Sequence, residues 1–243
     1  MKKKNLAIIP CRSGSKGIKN KNIVNIFGKP LIYYTITFAK FCKFIDKVIV
    51  STDSEKYRKV CEKYGVEVPF LRPKKISKDD SLDIDFIKHA LKWLKKNENY
   101  KPDLIINLRP TTPLRKIKIL KKAVNIIKND KKIESVRSIS KLNKSIYKCW
   151  FLSKKNLLNP VTRNLTKYIE PHNAPRQKLK NAYFQNGIYD IFKVDLAKKN
   201  KLSGKNIFGL LTEDTKDIDA PMDLMEIKKE KHAFKKFKKY IFN

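Results

Sequence analysis

IIPCRSGSKGIKNKN, Ile8 to Asn22, leaves an apolar run, passes two glycines and gathers Arg12, Lys16, Lys19 and Lys21. With the residues before it, Leu6 to Pro10 reads as a short buried strand opening into a basic glycine loop. Gly14 and Gly17 permit tight turns and close approach of backbone to a ligand. Backbone N–H groups in such a loop form an anion nest. Arg12, Lys16 and Lys21 offer charge-assisted bonds to phosphate oxygens. The loop is neither G-x-x-x-x-G-K-[ST] nor G-x-G-x-x-G. On its own residues it stands open between a phosphate cradle and a surface turn.

The pattern continues outward from this loop. Leu31 to Phe41 has apolar residues at helical spacing, with Pro30 near its start. Lys47 to Ser51 (KVIVS) is a second strand. A capped helix follows, with Asp53 or Ser54 as the cap and Gly65 just past the end. Val66 to Phe70 is read as a third strand, Leu82 to Leu94 as a helix and Asp103 to Leu108 as a fourth strand. Ile117 to Ile127 is helical, and Ile133 to Ile139 is a fifth strand. Strict β-α alternation predicts an α/β fold, a mostly parallel sheet with helices on both faces. Such sheets bind ligands beyond the carboxyl ends of their strands. Arg12, Asp53 and Arg109 all follow predicted strands and read as one rim.

Residues 141–205 break the rhythm with Trp150, several prolines and the run PHNAPRQKLKNAYFQNGIYDIF. They read as an insertion, possessing hairpins, within a single domain spanning 1–243. A late strand (NIFGLL) and a final amphipathic helix to about Tyr240 complete the chain. That helix is either membrane-seeking or packed, with a lysine outer face; the packed reading is the expectation.

The 243 residues are 41% hydrophobic, enough for a sizeable core. The net charge of +34 suggests a polyanion partner if taken alone. However, the basic residues are overwhelmingly lysines, spread from end to end beside many Asn and Ile. A compositional bias accounts for them, so nucleic acid is not the expected partner. The same bias makes each arginine informative, as a place that needs a planar fork. Cys11, Cys42, Cys61 and Cys149 form no C-x-x-C pair and read as reduced thiols. Lys2 to Lys4 resembles the start of a signal peptide, but the apolar run stops at Cys11. No apolar stretch approaches a membrane span. The expectation is a cytoplasmic protein.

Three further stretches carry chemistry. In DIDAPMD, Asp217 and Asp219 alternate along an extended segment and so share a side. Paired carboxylates suit Mg²⁺ with bound phosphate; a helix cap with turn carboxylates is the alternative. NLRPTTPLR, Asn107 to Arg115, is a rigid loop after a buried strand, with Arg109, Thr111 and Arg115. PRQKLKNAYFQNGIYDI, Pro175 to Ile191, offers Arg176 as a carboxylate fork, Gln177 as an amide and Asn186-Gly187 as a turn signal. His89, His172 and His232 are scattered and are not assigned to catalysis.

Together these stretches resemble the acylneuraminate cytidylyltransferases, the CMP-sialic acid synthetase family. The family opening IPARxGSKGIxxKN is matched by IPCRSGSKGIKNKN, its LQPTSPLR by LRPTTPLR, its RQ…Y…NGiY by RQKLKNAYFQNGIYDI, and its late DID…D by DIDAPMDL. Order and spacing agree from Leu6 to about Glu226. The resemblance implies a three-layer α-β-α nucleotide-diphospho-sugar transferase fold, with the excursion used for sugar binding and dimerisation. It implies a homodimer, CTP and a nonulosonic acid as substrates, and Mg²⁺. On the family pattern Arg12, Ser15, Lys16 and Lys21 contact phosphates, with Arg12, Lys16 and Lys21 promoting the reaction. Asn22 and Arg72 contact the nucleotide, and Asp217 and Asp219 hold the metal. Arg109, Thr111, Arg176 and Gln177 belong to the sugar-acid side. Cys11 replaces a usual Ala. Arg109 replaces a Gln common in sialic acid enzymes, and an arginine there favours an anionic or strongly accepting acceptor group. That points to a legionaminic- or pseudaminic-type acid, or an eight-carbon acid as in CMP-Kdo synthetases. The rival outside enzymes is a basic nucleic-acid-binding protein.

Overall fold

A computed structural model describes residues 4–162, 165–213 and 217–243. Lys2 and Lys3 of the N-terminal basic run lie outside them. The chain forms two compact units. Met1–Ser138, Gly187–Leu210 and Thr215–Asn243 make the first; Ile139–Asn186 with Leu211–Asp214 make the second.

The elements run β1 (Asn5–Pro10), β2 (Asn25–Ile26), β3 (Lys29–Pro30), α1 (Leu31–Phe41), β4 (Lys47–Ser51), α2 (Glu55–Glu62) and α3 (Asp83–Glu98). They continue as β5 (Leu104–Asn107), α4 (Ile117–Asn129), β6 (Ser135–Lys141), β7 (Trp150–Leu152), β8 (Leu158–Pro160) and β9 (Tyr183–Lys193). Last come α5 (Val194–Lys198), β10 (Ile207–Leu211), α6 (Pro221–Glu226), α7 (Lys231–Lys235) and α8 (Phe237–Phe242). Six strands form one sheet in the order β10-β6-β9-β5-β1-β4.

Period-two alternation decides how the sheet is covered. On β1, Ala7 and Ile9 enter a core built with α1, α4, α7 and α8. Leu6 and Ile8 enter a second core, with Phe86, Ile87, Ala90 and Leu94 of α3 and Leu196 of α5. Both faces of the strand are therefore buried. An apolar run with no polar alternation is what such a strand requires.

β1 is parallel to β4 and to β5. β9 runs antiparallel to β5, from Leu104↔Lys193 to Asn107↔Asp190. The parallel expectation thus holds for the strands that carry the glycine loop, and β9 is the exception. Ser54, rather than Asp53, caps α2: its side chain accepts the N–H of Tyr57. The third strand read at Val66 to Phe70 reduces to the bridges Ile49↔Glu67 and Thr52↔Leu71. Pro69 interrupts it, because proline has no N–H to donate to a ladder.

Asn186-Gly187 is not a hairpin turn. It lies inside β9, where Gly187 takes φ +67°. The longer segment of the second unit runs from Ile139 to Asn186, and the first unit resumes at Gly187. That unit contains the β7–β8 ribbon and the Trp150–His172 ring contact at 4.5 Å.

The C-terminal helix is broken into α6, a 3-10 turn at Ile227–Glu230, α7 and α8. Ile227, Phe234, Phe237 and Ile241 are buried, and the Phe234 and Phe237 rings stand edge-on to Tyr34. Its apolar face packs on the core, as the packed reading expects. Among the described residues no helix is long and apolar enough to cross a membrane.

Candidate active site

The glycine loop follows β1 at the carboxyl edge of the sheet and is tied at several points. Ser13 donates through its N–H and hydroxyl to the two carboxylate oxygens of Asp53, at 2.8 and 2.9 Å. The buried Asn22 amide donates to the Arg12 carbonyl at 3.0 Å. Asn20 takes the left-handed conformation that starts the turn at Lys21–Ile23. Asp53 is thus a positioning residue for the loop, which refines its place on the predicted rim.

Gly17 is needed for a different reason. A Cβ there would lie 2.3 Å from the Asp219 carbonyl oxygen. Backbone on both sides leaves no flexible atom to yield. Gly17→Ala is expected to push the loop off the Asp219 segment and lower kcat/KM for nucleotide by at least about tenfold, the scale of an ångström misplacement. Gly14→Ala, whose Cβ would meet only the Arg12 guanidinium at 4.0 Å, is expected to cost far less. Equal losses in steady-state assays would refute the steric account.

The glycine loop, the segment from Arg72 into the start of α3, the loop after β5 and the Asp217–Asp219 segment enclose a cleft of about 370 Å³ in the first unit. Arg12, Ser15, Lys21, Asn22 and Arg72 line one part of it. Asp83, Arg109, Thr111, Asp217 and Asp219 line another. Of the sequence-selected residues, Lys16 lies beside the cleft, within reach of Arg12 through Asp79. Arg12 donates to one Asp79 oxygen at 2.5 Å, and the Lys16 ammonium lies 2.7 Å from the other. Hydrogen bonds from Lys16 and Arg12 hold the Asp79 carboxyl below its usual pKa. Lys21 pairs with Asp219 at 2.5 Å. Arg72 is buried, donates to the Ser51 hydroxyl and carbonyl at 3.1 and 2.7 Å, and stacks over Phe86 at 4.7 Å. Burial pushes its pKa down to about 10.

The two DID carboxylates flank a buried anchor. Ile218 enters the core and its N–H donates to the Thr111 carbonyl at 2.9 Å. Asp219 and Ala220 donate their N–H groups to Asp223, at 2.8 and 2.7 Å. Loss of hydration lifts the Asp217 pKa above the usual carboxylate range, and the charge of Asp219 adds to it, against a hydrogen bond from Thr111. A cation between the two would relieve that repulsion. Their oxygens suit a hard divalent ion that completes its shell with phosphate and water. Among the described residues no three His, Cys, Asp or Glu side chains cluster at metal-binding distance.

Arg109 is placed differently from the sequence expectation of a fork free for the acceptor. One of its nitrogens donates to Asp190, and another lies 2.5 Å from Asp83. The other Asp190 oxygen is 2.9 Å from Arg137. Burial alone would lower the Arg109 pKa, but the two carboxylates outweigh it and raise it. The charge of Arg109 is neutralised within the protein.

Arg115 is fully buried. It donates to the carbonyls of Ile188 and Arg109, at 2.8 and 2.6 Å, and to Thr112. Burial lowers its pKa to about 10. It braces the RPTTP loop from beneath. Asp79, Asp83 and Asp190 escaped the sequence reading. Asp190 had a signal: a carboxylate within the apolar run GIYDIF demands a buried partner.

Arg176 and Gln177 do not line this cleft. They form a 3-10 turn at Arg176–Lys178 in the second unit, where Arg176 donates weakly to the Asn143 carbonyl at 3.4 Å.

Over 188 residues the chain is 34% identical to a pseudaminic acid cytidylyltransferase of Campylobacter jejuni, covering 76% of this chain and 77% of that protein. Over 144 residues it is 40% identical to an N-acylneuraminate cytidylyltransferase of Escherichia coli, covering 59% of this chain but only 33% of that longer protein. A CMP:2-keto-3-deoxy-manno-octonic acid synthetase solved with CTP superposes with TM-score 0.69 at 15% identity, over 95% of this chain and 99% of that one, and so shares the fold. Residues 6–239 match the family described as cytidylyltransferase. A glycine loop, paired late aspartates and a mixed six-stranded sheet thus converge with that match, and the chain belongs to the cytidylyltransferase family.

Proposed function

We propose that the protein transfers CMP from CTP to a nine-carbon 2-keto-3-deoxy sugar acid, an N-acylneuraminate or a related nonulosonate. The observation that carries this reading is the meeting in one cleft of the loop cations with the Asp217–Asp219 pair. The relatives named for N-acylneuraminate and pseudaminic acid support the acceptor class.

In this reaction the anomeric 2-hydroxyl oxygen attacks the α-phosphorus and loses its proton. The bond from that phosphorus to the leaving diphosphate breaks in line. Arg12, Lys16 and Lys21 would hold phosphate oxygens, with Ser15 adding a hydroxyl at the cleft wall. Charge gathers on those oxygens as the diphosphate departs, and fixed cations in a cleft stabilise it more than water does. Asn22 and Arg72 would border the cytidine. Mg²⁺ held by Asp217 and Asp219 would supply further neutralisation of the phosphate oxygens. Thr111 and the neutralised Arg109 would form the acceptor wall, so discrimination there comes from shape and hydrogen bonding rather than from a free positive charge. Arg176 and Gln177 would contact the sugar acid, as the family pattern implies.

The second unit exposes Phe151, Leu152, Leu158, Ile169 and Phe184. Apolar side chains in this number suit burial in a homodimer. With CTP as its substrate the protein would work in the cytoplasm.

The test is diphosphate release from CTP and Mg²⁺ with a panel of nine- and eight-carbon sugar acids, with and without chelator. Release with a nine-carbon acid, abolished by chelator, is expected. Release only with an eight-carbon acid would move the acceptor class. Silence with every acid from folded protein would overturn the proposal.

A further inference from the structure

Resting on that reading of the cleft, we propose that Asp79 is a built-in competitor for the nucleotide phosphates: its carboxylate occupies Arg12 and Lys16 and must give way when a polyphosphate binds. The geometry is specific. The segment before it is anchored by the buried Arg72 and by the Ser77 hydroxyl, which donates to the Pro73 carbonyl at 3.0 Å. Lys78 to Ser81 then form a turn closed twice. The Ser81 N–H donates to the Lys78 carbonyl at 3.3 Å, and the Lys78 N–H donates to the Ser81 hydroxyl at 3.0 Å. Lys78 and Ser81 line the cleft, and the turn carries Asp79 out towards the glycine loop. There one carboxylate meets two cations through separate oxygens, at 2.5 and 2.7 Å.

Two oxygens bridging two loop cations is the arrangement that a phosphate would adopt on the same groups. A carboxylate and a phosphate cannot both hold those donors. The side chains of Arg12, Lys16 and Asp79 are 33%, 83% and 38% exposed, so these pairs are solvent-screened and readily exchanged. A triphosphate that also reaches Lys21 and Ser15 outcompetes one carboxylate. A departing diphosphate meets the same competition, and Asp79 helps to expel it. Asp79 therefore loosens the hold on substrate and product alike.

The test measures binding of CTP and of diphosphate to the full chain by titration calorimetry without divalent cation, together with product inhibition by diphosphate in turnover. Asp79→Asn is expected to bind both ligands about three- to tenfold more tightly, the scale of losing two screened ion pairs. Its inhibition by diphosphate is expected to strengthen by a similar factor. Asp80→Asn removes the same charge from the next position of the turn and is the control, expected to change affinity by less than about twofold. Equal effects in the two variants would reduce Asp79 to general electrostatics and overturn the proposal. Weaker binding in Asp79→Asn would overturn it too, by making Asp79 a support for the cations. If the native chain binds neither ligand, the reading of the cleft fails along with it. Normal CTP binding with indistinguishable variants would sink the Asp79 role alone.

Discussion

Asp219→Asn is expected to lower turnover by at least about 100-fold while leaving the fold intact, the size of effect seen when one electrostatic stabiliser of a transition state is removed. The side chain is 65% exposed, so its neutralisation disturbs no core packing. It has two partners by this account: the proposed Mg²⁺ and Lys21, whose side chain is only 15% exposed. The amide keeps the shape and removes the charge from both. The concentration of Mg²⁺ needed for half-maximal rate is expected to rise, whereas CTP binding measured without divalent cation is expected to persist. A variant that turns over like the native protein would end the metal assignment. Loss of metal-free CTP binding would instead make Asp219 a support for Lys21.

The second large effect concerns stability. Asp190→Asn is expected to cost about 2–4 kcal/mol, because removing one member of a buried ion pair leaves the other charged and unpaired. Asp190 has no exposed surface and serves Arg109 and Arg137 together. Arg109 keeps Asp83 and some solvent, which places the expected cost below the upper range for fully buried pairs. For a chain of this size that is a fall in Tm of roughly 5–15 °C. Asp195→Asn is the comparison. Its pair with Lys198 is also short, at 2.6 Å, but both side chains are about 70% exposed. Pairs of that kind contribute little, and thermal unfolding is expected to show a change of at most about 2 °C. A small effect for Asp190→Asn would mean that Arg109 and Arg137 find other partners, and the acceptor wall would not depend on this network.

The two variants separate a carboxylate that local sequence made legible from one that it hid. Both Asp219 and Asp190 are carboxylates near loops of the sheet edge. The first was legible because DID places two charges on one side of an extended segment, in a chain poor in acids. The second was hidden because its partners are distant. Arg109 meets Asp190 across 81 residues and Asp83 across 26. No local pattern encodes such a meeting. Arg109 therefore read as a free fork, and only its neighbours show that its charge is already balanced.

Local rules served well where local physics decides. α1 begins and ends at the residues that Pro30 and the apolar spacing indicated. Gly65 takes φ +68° just past the α2 helix, a conformation that glycine adopts without a Cβ penalty. The third strand stops short at Pro69, which has no N–H for a ladder. Asn186-Gly187 failed as a turn because a left-handed glycine is also tolerated within a strand.

By itself the sequence determined the α/β alternation, the basic glycine loop, the paired aspartates and the family to which they belong. Those properties follow from periodicity, backbone freedom and side-chain type, which neighbouring residues carry. The tertiary structure alone decided that Gly17 touches the Asp219 backbone, that Asp79 sits on the loop cations, and that Arg109 and Arg115 are held from within. Each depends on which distant charges folding brings within hydrogen-bond reach, and electrostatic effects are set by that distance and by exclusion of water.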